Sequence, residues 1–179
     1  MNIPNTITLI RILLVPSLIM LLLNQSFAGG LWVFIAAGAS DAVDGFIAKR
    51  FNMCTRLGSI LDPLADKLLV ISSVVVLAKL GHIPFWLAAT IIGRDVVIVT
   101  GAVAYHFRFG RIEMAPSLTS KLNTFVQLCL IFLVLCQLAG FIIIDRWFPA
   151  LFALTLLTTI VSGLHYVLVW GKKAGTIQA

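Results

Sequence analysis

The chain has 179 residues, of which 60% are hydrophobic and 11% are charged, with a formal net charge of +6. Soluble domains carry about 25% charged residues, and a chain of this size has too little interior to bury so much apolar surface. The composition therefore excludes an ordinary soluble domain. Lysines and arginines stand mostly at the edges of apolar runs, which indicates membrane topology and anionic headgroups, and we expect no nucleic-acid partner.

Six apolar segments follow one another along the chain, and each is close to the length of about 20 residues that crosses a lipid bilayer. They span residues 6–23, 28–50, 58–80, 83–107, 117–144 and 148–170. The connections are short, which predicts antiparallel neighbours in one domain over residues 1–179. The predicted fold is an all-α membrane protein with six transmembrane helices in one bundle. The first segment runs on into the second, so we expect it to be retained and not cleaved as a signal peptide.

Positive charges are unevenly divided between the two sides of the predicted bundle, with seven on one side and two on the other. The seven are Lys49, Arg50, Arg56, Arg108, Arg111, Lys172 and Lys173, and the two are Lys79 and Arg146. Because positively charged loops stay in the cytosol, we expect both termini to be cytosolic. The short chain has no segment typical of organelle import, which favours the bacterial cytoplasmic membrane.

Four of the seven acidic residues fall between positions 41 and 66, where the second segment ends and the third begins. Asp41 and Asp44 are three residues apart and Asp62 and Asp66 are four apart, so each pair shares a helical face. Clustered carboxylates in a membrane are costly unless a cation binds them. All-oxygen ligation with no nearby His or Cys favours Mg²⁺ or Mn²⁺, with two ions about 4 Å apart that could clamp a diphosphate. The alternative is four interfacial acids that are solvated or paired with neighbouring basic residues.

The residues around these acids resemble the signature of the CDP-alcohol phosphotransferases. That signature is D-x-x-D-G-x-x-A-R, eight residues, then G-x-x-x-D-x-x-x-D. The chain has Asp41-Ala-Val-Asp44-Gly45-Phe-Ile-Ala48-Lys49 and then Gly58-Ser-Ile-Leu-Asp62-Pro-Leu-Ala-Asp66. The spacing matches throughout, and the one departure is Lys49 in place of arginine, which keeps the charge but loses a bidentate phosphate fork.

This resemblance implies a specific chemistry for the chain. Members of the family have six transmembrane helices and two metal ions, and they transfer a substituted phosphate from a CDP-linked donor to an alcohol, releasing CMP. The resemblance implies a homodimer. The loop charges and the position of the four acids predict an active site at the cytosolic face of the membrane. It implies metal ligation by Asp41, Asp44, Asp62 and Asp66, with Asp66 also the general base. It places CDP at Asp44, Gly45, Ala48, Lys49, Gly58 and Asp62.

A polar stripe begins the first segment. Asn5, Thr8 and Arg11 are three residues apart and share a helical face. We favour the interpretation that this face binds the nucleotide. The alternative is an interfacial stripe in which the arginine reaches out to water.

The predicted binding site for the acceptor alcohol consists of Arg94, Lys121 and Asn123. Arg94 either receives a phosphate of the acceptor or forms a structural ion pair with Asp95, and Lys121 either joins it or is an ordinary interfacial lysine. Similar proteins that use glycerol 3-phosphate often have G-K-x-K-T-x-x-Q where this chain has Ser120-Lys121-Leu-Asn123-Thr124-Phe-Val-Gln127. A dianionic phosphomonoester benefits from two cations, whereas a singly charged phosphodiester needs fewer.

Neutral Asn123 thus favours a phosphodiester acceptor, and these segments look closest to the CDP-type cardiolipin synthases. Those proteins use phosphatidylglycerol as acceptor and CDP-diacylglycerol as donor. Phosphatidylglycerophosphate synthase, with glycerol 3-phosphate as acceptor, is the second interpretation, and another acceptor such as inositol phosphate is the third. Two other classes stay open: a divalent-cation transporter, since acid-lined helices also suit ion transport, and a catalytically inactive lipid-binding scaffold.

Overall fold

The computed structural model describes the backbone of residues 3–50, 58–109 and 118–177, and the side chains of residues 8–40, 62, 64–101 and 118–168. The described residues form six α-helices and one short 3-10 turn, with no strand among them. The helices are α1 (Ile3–Leu23), α2 (Phe27–Arg50), α3 (Gly58–Lys79), α4 (Phe85–Phe109), α5 (Leu118–Leu138) and α6 (Phe148–Ile177), and the turn is Asp145–Trp147. The predicted all-α class is confirmed.

Three helix ends, those of α1, α3 and α5, share one backbone arrangement. Gln25, Gly81 and Gly140 follow these helices with φ angles of 57°, 82° and 79°, in the left-handed region. After α3, the His82 N–H donates to the Leu77 carbonyl at 2.9 Å and the Gly81 N–H to the Ala78 carbonyl at 3.0 Å. This pair of bonds is the Schellman motif, which satisfies carbonyls that the end of a helix leaves unbonded.

The predicted ends of the last two helices were wrong. The sequence predicts a fifth helix up to residue 144, whereas α5 ends at Leu138 because Gly140 turns the chain there. Residues 141–144 are apolar, so the sequence predicts that the helix continues through them, but they follow the turn and are not part of α5. The sixth helix continues to Ile177, past the predicted end at residue 170.

The described helices divide into two compact units. In the first unit, α1 packs along both α2 and α3, and Leu18 and Leu22 of α1 are fully buried. Gly30 of α2 allows close approach, because a Cβ atom there would lie 2.8 Å from Cδ2 of Leu22. The ring of Phe27 meets His82 edge to face at 5.5 Å, and partial burial lowers the pKa of His82, so its ring is neutral at pH 7.

The second unit comprises α4, α6 and the first part of α5. The Tyr166 hydroxyl of α6 donates to the Ile98 carbonyl of α4 at 3.1 Å. Beside it, Gly101 leaves room for the Tyr166 ring, which would lie 3.3 Å from a Cβ atom at that position. Small residues let membrane helices approach closely, and here they place α4 against α6.

Two helices are long and apolar enough to cross a membrane, by length and composition, within the described parts of the chain. They cover Leu118–Leu138 and Asp145–Leu168. Only 17% of the most apolar part of the second one is buried, so it differs from the core helix of a soluble protein. Thr8–Leu23 and Phe27–Ser40 are shorter apolar helical stretches.

Candidate active site

Two acids of α3 are held by two polar residues of α1. The Thr8 hydroxyl donates to Oδ1 of Asp62 at 2.6 Å, and Nη1 of Arg11 donates to Oδ1 of Asp66 at 2.9 Å. The two donors are three positions apart and the two acids are four positions apart, so each pair occupies one face of its helix and the two faces meet. Hydrogen bonds to an ionised group are short and strong, and the second of these is also an ion pair.

Burial differs sharply across the Arg11–Asp66 pair. The Arg11 side chain is fully buried, whereas 41% of the Asp66 side chain is exposed. The arginine therefore does not reach out to water, and binding of the nucleotide by Asn5, Thr8 and Arg11 stays a prediction. Arg11 instead supports Asp66 from inside the first unit, and the carboxylate remains accessible to other molecules.

The rest of the predicted metal and CDP site lies outside the described side chains. Its members are Asn5, Asp41, Asp44, Gly45, Ala48, Lys49 and Gly58, whose backbones belong to α1, α2 and α3. Among the described side chains, no group of three or more His, Cys, Asp or Glu residues is arranged to hold a metal ion. Asp62 and Asp66 nevertheless offer oxygen ligands from one helical face, which suits a hard divalent cation.

A second polar cluster lies in the second unit, around Arg94 of α4. Nη1 of Arg94 donates to Oδ1 of Asp95 at 2.7 Å, and Nη2 donates to the hydroxyls of Ser120 at 2.7 Å and Ser162 at 2.5 Å. Gly163 leaves room beside the aliphatic stem of Arg94, whose Cγ would lie 3.6 Å from a Cβ atom there. Arg94 and Asp95 are both more than nine-tenths buried. The ion pair that is the alternative to phosphate binding is thus present, with a net charge of zero, and acceptor binding by Arg94 stays a prediction.

Asn123, the second predicted acceptor residue, lies fully buried on α5. Its Oδ1 accepts a hydrogen bond of 2.9 Å from the hydroxyl of Thr159 on α6. Nε2 of Gln127 reaches the same hydroxyl at 3.5 Å, a weak contact. Lys121, the third predicted residue, has an exposed side chain, and its role in acceptor binding stays a prediction.

The buried polar face of α6 was not predicted from the sequence. That segment carries no formal charge between residues 148 and 170, so nothing in it stood out as chemical. Its buried polar residues are Thr155, Thr159 and Ser162. Their spacing of four and three is the signal that could have identified a polar helical face.

The family model for CDP-alcohol phosphatidyltransferases matches residues 1–170. The chain belongs to the CDP-alcohol phosphatidyltransferase family. The matched region includes α1 with Thr8 and Arg11 and α3 with Asp62 and Asp66. Both the acids and the α1 residues that hold them are therefore part of the family domain.

Curated relatives of two kinds are similar to this phosphatidyltransferase domain. It is 44% identical over 104 residues to the CDP-diacylglycerol–glycerol-3-phosphate 3-phosphatidyltransferase of Pseudomonas fluorescens, covering 55% of the chain and 53% of that protein. It is 34% identical to a cardiolipin synthase (CMP-forming)/mitochondrial hydrolase fusion protein of Schizosaccharomyces pombe, over 92% of the chain and 30% of the relative. These two alignments thus leave about half or more of each relative unmatched.

A relative of similar length is the CDP-diacylglycerol–glycerol-3-phosphate 3-phosphatidyltransferase of Bacillus subtilis, which is 31% identical over 92% of the chain and 93% of its own length. The named activities of the relatives share a phosphatidyl transfer and differ in the acceptor. The comparisons therefore agree on the reaction class of the family and do not decide between the two acceptors.

Proposed function

We propose that this protein is a membrane enzyme that transfers a phosphatidyl group from CDP-diacylglycerol to phosphatidylglycerol, forming cardiolipin and CMP. Family membership supports the reaction class. The assignment of particular residues depends on two hydrogen bonds, from Thr8 to Asp62 and from Arg11 to Asp66. Asp66 is held in place by a buried arginine and is still accessible, so it could come within hydrogen-bond distance of the acceptor hydroxyl, as a general base must.

We propose a divalent metal centre, with Mg²⁺ or Mn²⁺ held by Asp41, Asp44, Asp62 and Asp66. The oxygen donors and the shared face of the α3 acids support it. Bound there, the cations would neutralise the donor diphosphate and the negative charge that develops on the departing CMP. Thr8 would fix the orientation of Asp62, since a hydrogen bond to a metal-ligating carboxylate sets its direction. The signature residues Gly45, Ala48, Lys49 and Gly58 would line the CDP site with Asn5.

In the proposed reaction, the acceptor hydroxyl oxygen forms a bond to the phosphatidyl phosphorus while the bond from that phosphorus to CMP breaks. The hydroxyl proton passes to the carboxylate of Asp66. Arg11 holds Asp66 in one orientation through its ion pair, so the base does not have to reorganise during the transfer. Positioning of this kind lowers the entropic barrier of a reaction between two bound lipids.

The acceptor site is proposed at Arg94, Asn123 and Lys121. Asp95 neutralises Arg94, and Asn123 is uncharged, so the buried part of this cluster carries no net charge. Such a cluster suits the single negative charge of a phosphodiester better than the double charge of a phosphomonoester. This favours phosphatidylglycerol.

Glycerol 3-phosphate is the second candidate acceptor, with phosphatidylglycerophosphate as product. The observation in its favour is the alignment with the Bacillus subtilis relative over nearly the full length of both proteins. In this case exposed Lys121 would supply the positive charge that the buried cluster lacks.

We place the protein in a bacterial cytoplasmic membrane as six spans and a homodimer, with the active site at the cytosolic face. The apolar side chains exposed on the described helices support a lipid environment, among them Leu13, Met20, Trp32, Leu157 and Leu164. The uneven loop charge supports the orientation.

The test is release of CMP from CDP-diacylglycerol by the purified protein in detergent–lipid micelles with Mg²⁺ or Mn²⁺. Phosphatidylglycerol and glycerol 3-phosphate are supplied separately, and the lipid product is identified by mass spectrometry. We expect CMP and cardiolipin with phosphatidylglycerol. Phosphatidylglycerophosphate as the sole product would favour the second candidate, and absence of CMP with both acceptors would refute phosphatidyl transfer to either.

A further inference from the structure

Two buried hydrogen-bond donors in the second unit lack a partner among the described residues. They are Nε of Arg94 and Nδ2 of Asn123. Arg94 is 8% exposed and Asn123 is 0% exposed. A buried donor that makes no bond is destabilising, and native proteins keep few of them. Two such donors, on side chains that share one set of hydrogen-bonded helices, indicate a ligand that offers hydrogen-bond acceptors.

The hydrogen bonds of Arg94 and of Asn123 involve neighbouring positions on α5 and α6. Ser120 and Asn123 share a face of α5, and Thr159 and Ser162 share a face of α6. Arg94 donates to Ser120 on α5 and to Ser162 on α6. Thr159 on α6 donates to Asn123 on α5. The Arg94 and Asn123 contacts are therefore about one helical turn, or about 5 Å, apart.

The Thr159 hydroxyl bonds to a side chain on another helix, as the Thr8 hydroxyl does in the first unit. Thr155, Thr90 and Thr100 each donate to a carbonyl three or four residues earlier in their own helix, as hydroxyls in membrane helices usually do. The Thr159 hydroxyl instead crosses to Oδ1 of Asn123. This crossing bond orients a side chain on another helix.

In the assigned orientation, the Asn123 carboxamide presents Oδ1 to the Thr159 hydroxyl, and Nδ2 is the end that remains available. Gln127 Nε2 lies on the acceptor side of the Thr159 hydroxyl, and the single hydroxyl proton is donated to Oδ1 of Asn123. Nδ2 is left as the end without a partner. A reversed carboxamide would place its oxygen there, which would repel an anionic ligand.

We propose that Thr159, supported by Gln127, is a positioning residue that fixes Asn123 so that its Nδ2 donates to a phosphate oxygen of the acceptor. Arg94 Nε supplies the second donor. The proposal rests on the proposed function. It adds that a neutral amide, that of Asn123, donates a hydrogen bond to the phosphate of the acceptor alcohol. The same phosphate chemistry occurs in a lipid headgroup and in free glycerol 3-phosphate. A singly charged diester needs only the two donors, so we expect the effect to be larger with phosphatidylglycerol.

The test compares Thr159→Val with Thr155→Val. Both residues are completely or almost completely buried on α6, one turn apart, and both changes replace a hydroxyl by a methyl group of similar size. Only Thr159 contacts Asn123. For each variant, kcat and KM are measured for phosphatidylglycerol, for glycerol 3-phosphate and for CDP-diacylglycerol.

We expect Thr159→Val to raise KM for phosphatidylglycerol about tenfold, the effect of losing one well-placed hydrogen bond. KM for CDP-diacylglycerol should stay within about twofold of the wild-type value, which is less than the change caused by losing one hydrogen bond. Thr155→Val should change neither KM, and Thr159→Ser, which keeps the hydroxyl, should restore the wild-type KM. Equal kinetics for the two valine variants would overturn the proposal while leaving the proposed function intact.

Asn123→Asp is the second variant, and it remains informative if Thr159→Val fails to fold. It has nearly the same shape and puts an oxygen in place of Nδ2. Folding is checked by size-exclusion chromatography and thermal unfolding. KM for phosphatidylglycerol should rise at least as much as in Thr159→Val, and an unchanged KM would overturn the proposal. If the wild type releases no CMP with either acceptor, the proposed function fails and this inference fails with it.

Discussion

At the scale of single residues, Arg11 and Asp66 differ most clearly in burial. The arginine is wholly buried and the acid is partly exposed, although their side chains touch at 2.9 Å. The buried guanidinium of Arg11 fixes the orientation of the Asp66 carboxylate, and because it is buried it does not itself bind the acceptor alcohol. Thr8 has the same relation to Asp62 through a shorter bond.

Asp66→Asn should reduce CMP release by about 10²–10⁴-fold, the usual contribution of a general base. The amide keeps the size of the side chain but cannot accept the hydroxyl proton or bind a metal as a carboxylate does. The matched control is Asp145→Asn, in the exposed turn before α6, which should keep wild-type turnover. Turnover of Asp66→Asn close to that of the wild type would remove Asp66 from the mechanism.

Thr8→Val should raise the Mg²⁺ or Mn²⁺ concentration needed for half-maximal activity about tenfold, because residues that orient metal ligands typically contribute 10–100-fold to affinity or activity. At saturating metal the turnover should largely recover. Thr100→Val is the control, since its exposed hydroxyl bonds only to carbonyls of its own helix. A metal dependence identical in both variants would show that the Thr8–Asp62 bond does not serve a metal site.

These residues also show how much of the candidate site the sequence could predict. The face formed by Thr8 and Arg11 and the phasing of Asp62 with Asp66 follow from helical periodicity, and the structure brings these two faces together. Thr159 could not be identified in the same way. Most hydroxyls of membrane helices bond to their own backbone, and only packing against α5 shows that this one does not.

At the scale of helices and turns, the ends of α1, α3 and α5 use one motif with different residues. Predictions based on apolar runs locate α1 to α4 within about three residues, because polar residues or glycine interrupt the runs. The end of α5 could not be predicted from hydrophobicity, since apolar residues continue after Gly140. The helix ends there because Gly140 has a positive φ angle, which changes the direction of the chain. A change of direction does not alter the hydrophobicity of the sequence.

Gln25→Gly should stabilise the protein by about 0.5–1 kcal/mol, because a left-handed conformation costs a residue with a side chain about 1–2 kcal/mol and glycine loses part of that gain through unfolded-state entropy. Gln25 is exposed and has a φ of 57°. The melting temperature in micelles should rise by about 2 °C. Gly81→Ala should lower it by a similar amount, since a Cβ atom there meets nothing within 4 Å and only the backbone penalty remains.

The control for this pair is Asn24→Gly, at the exposed neighbouring position, which does not have a positive φ angle. It should lower or leave unchanged the melting temperature, because there glycine adds unfolded-state entropy without relieving strain. An equal gain from Asn24→Gly and Gln25→Gly would show that the loop tolerates glycine in general and that the left-handed residue is not strained.

At the scale of the whole molecule, the described helices combine buried polar side chains with large exposed apolar ones. Leu13 and Met20 of α1 are each 66% exposed, whereas Thr8 and Arg11 of the same helix are fully buried. The two apolar residues and the two polar residues thus lie on different faces of one helix. This is the arrangement expected of a helix in lipid, which the sequence composition predicts.

The orientation of the chain in the membrane is testable from the loop charges. Lys79 and Arg146 have exposed side chains, and the sequence predicts that both lie outside the cytosol, opposite Lys172. Single cysteines at these positions, in a background with Cys54, Cys129 and Cys136 replaced, are treated with a membrane-impermeant maleimide. We expect Lys79→Cys and Arg146→Cys to be labelled in intact bacterial spheroplasts and Lys172→Cys only after the membrane is opened. Labelling of Lys172→Cys in intact spheroplasts would place the C-terminus outside, and the predicted cytosolic face of the acid cluster would then have to be abandoned.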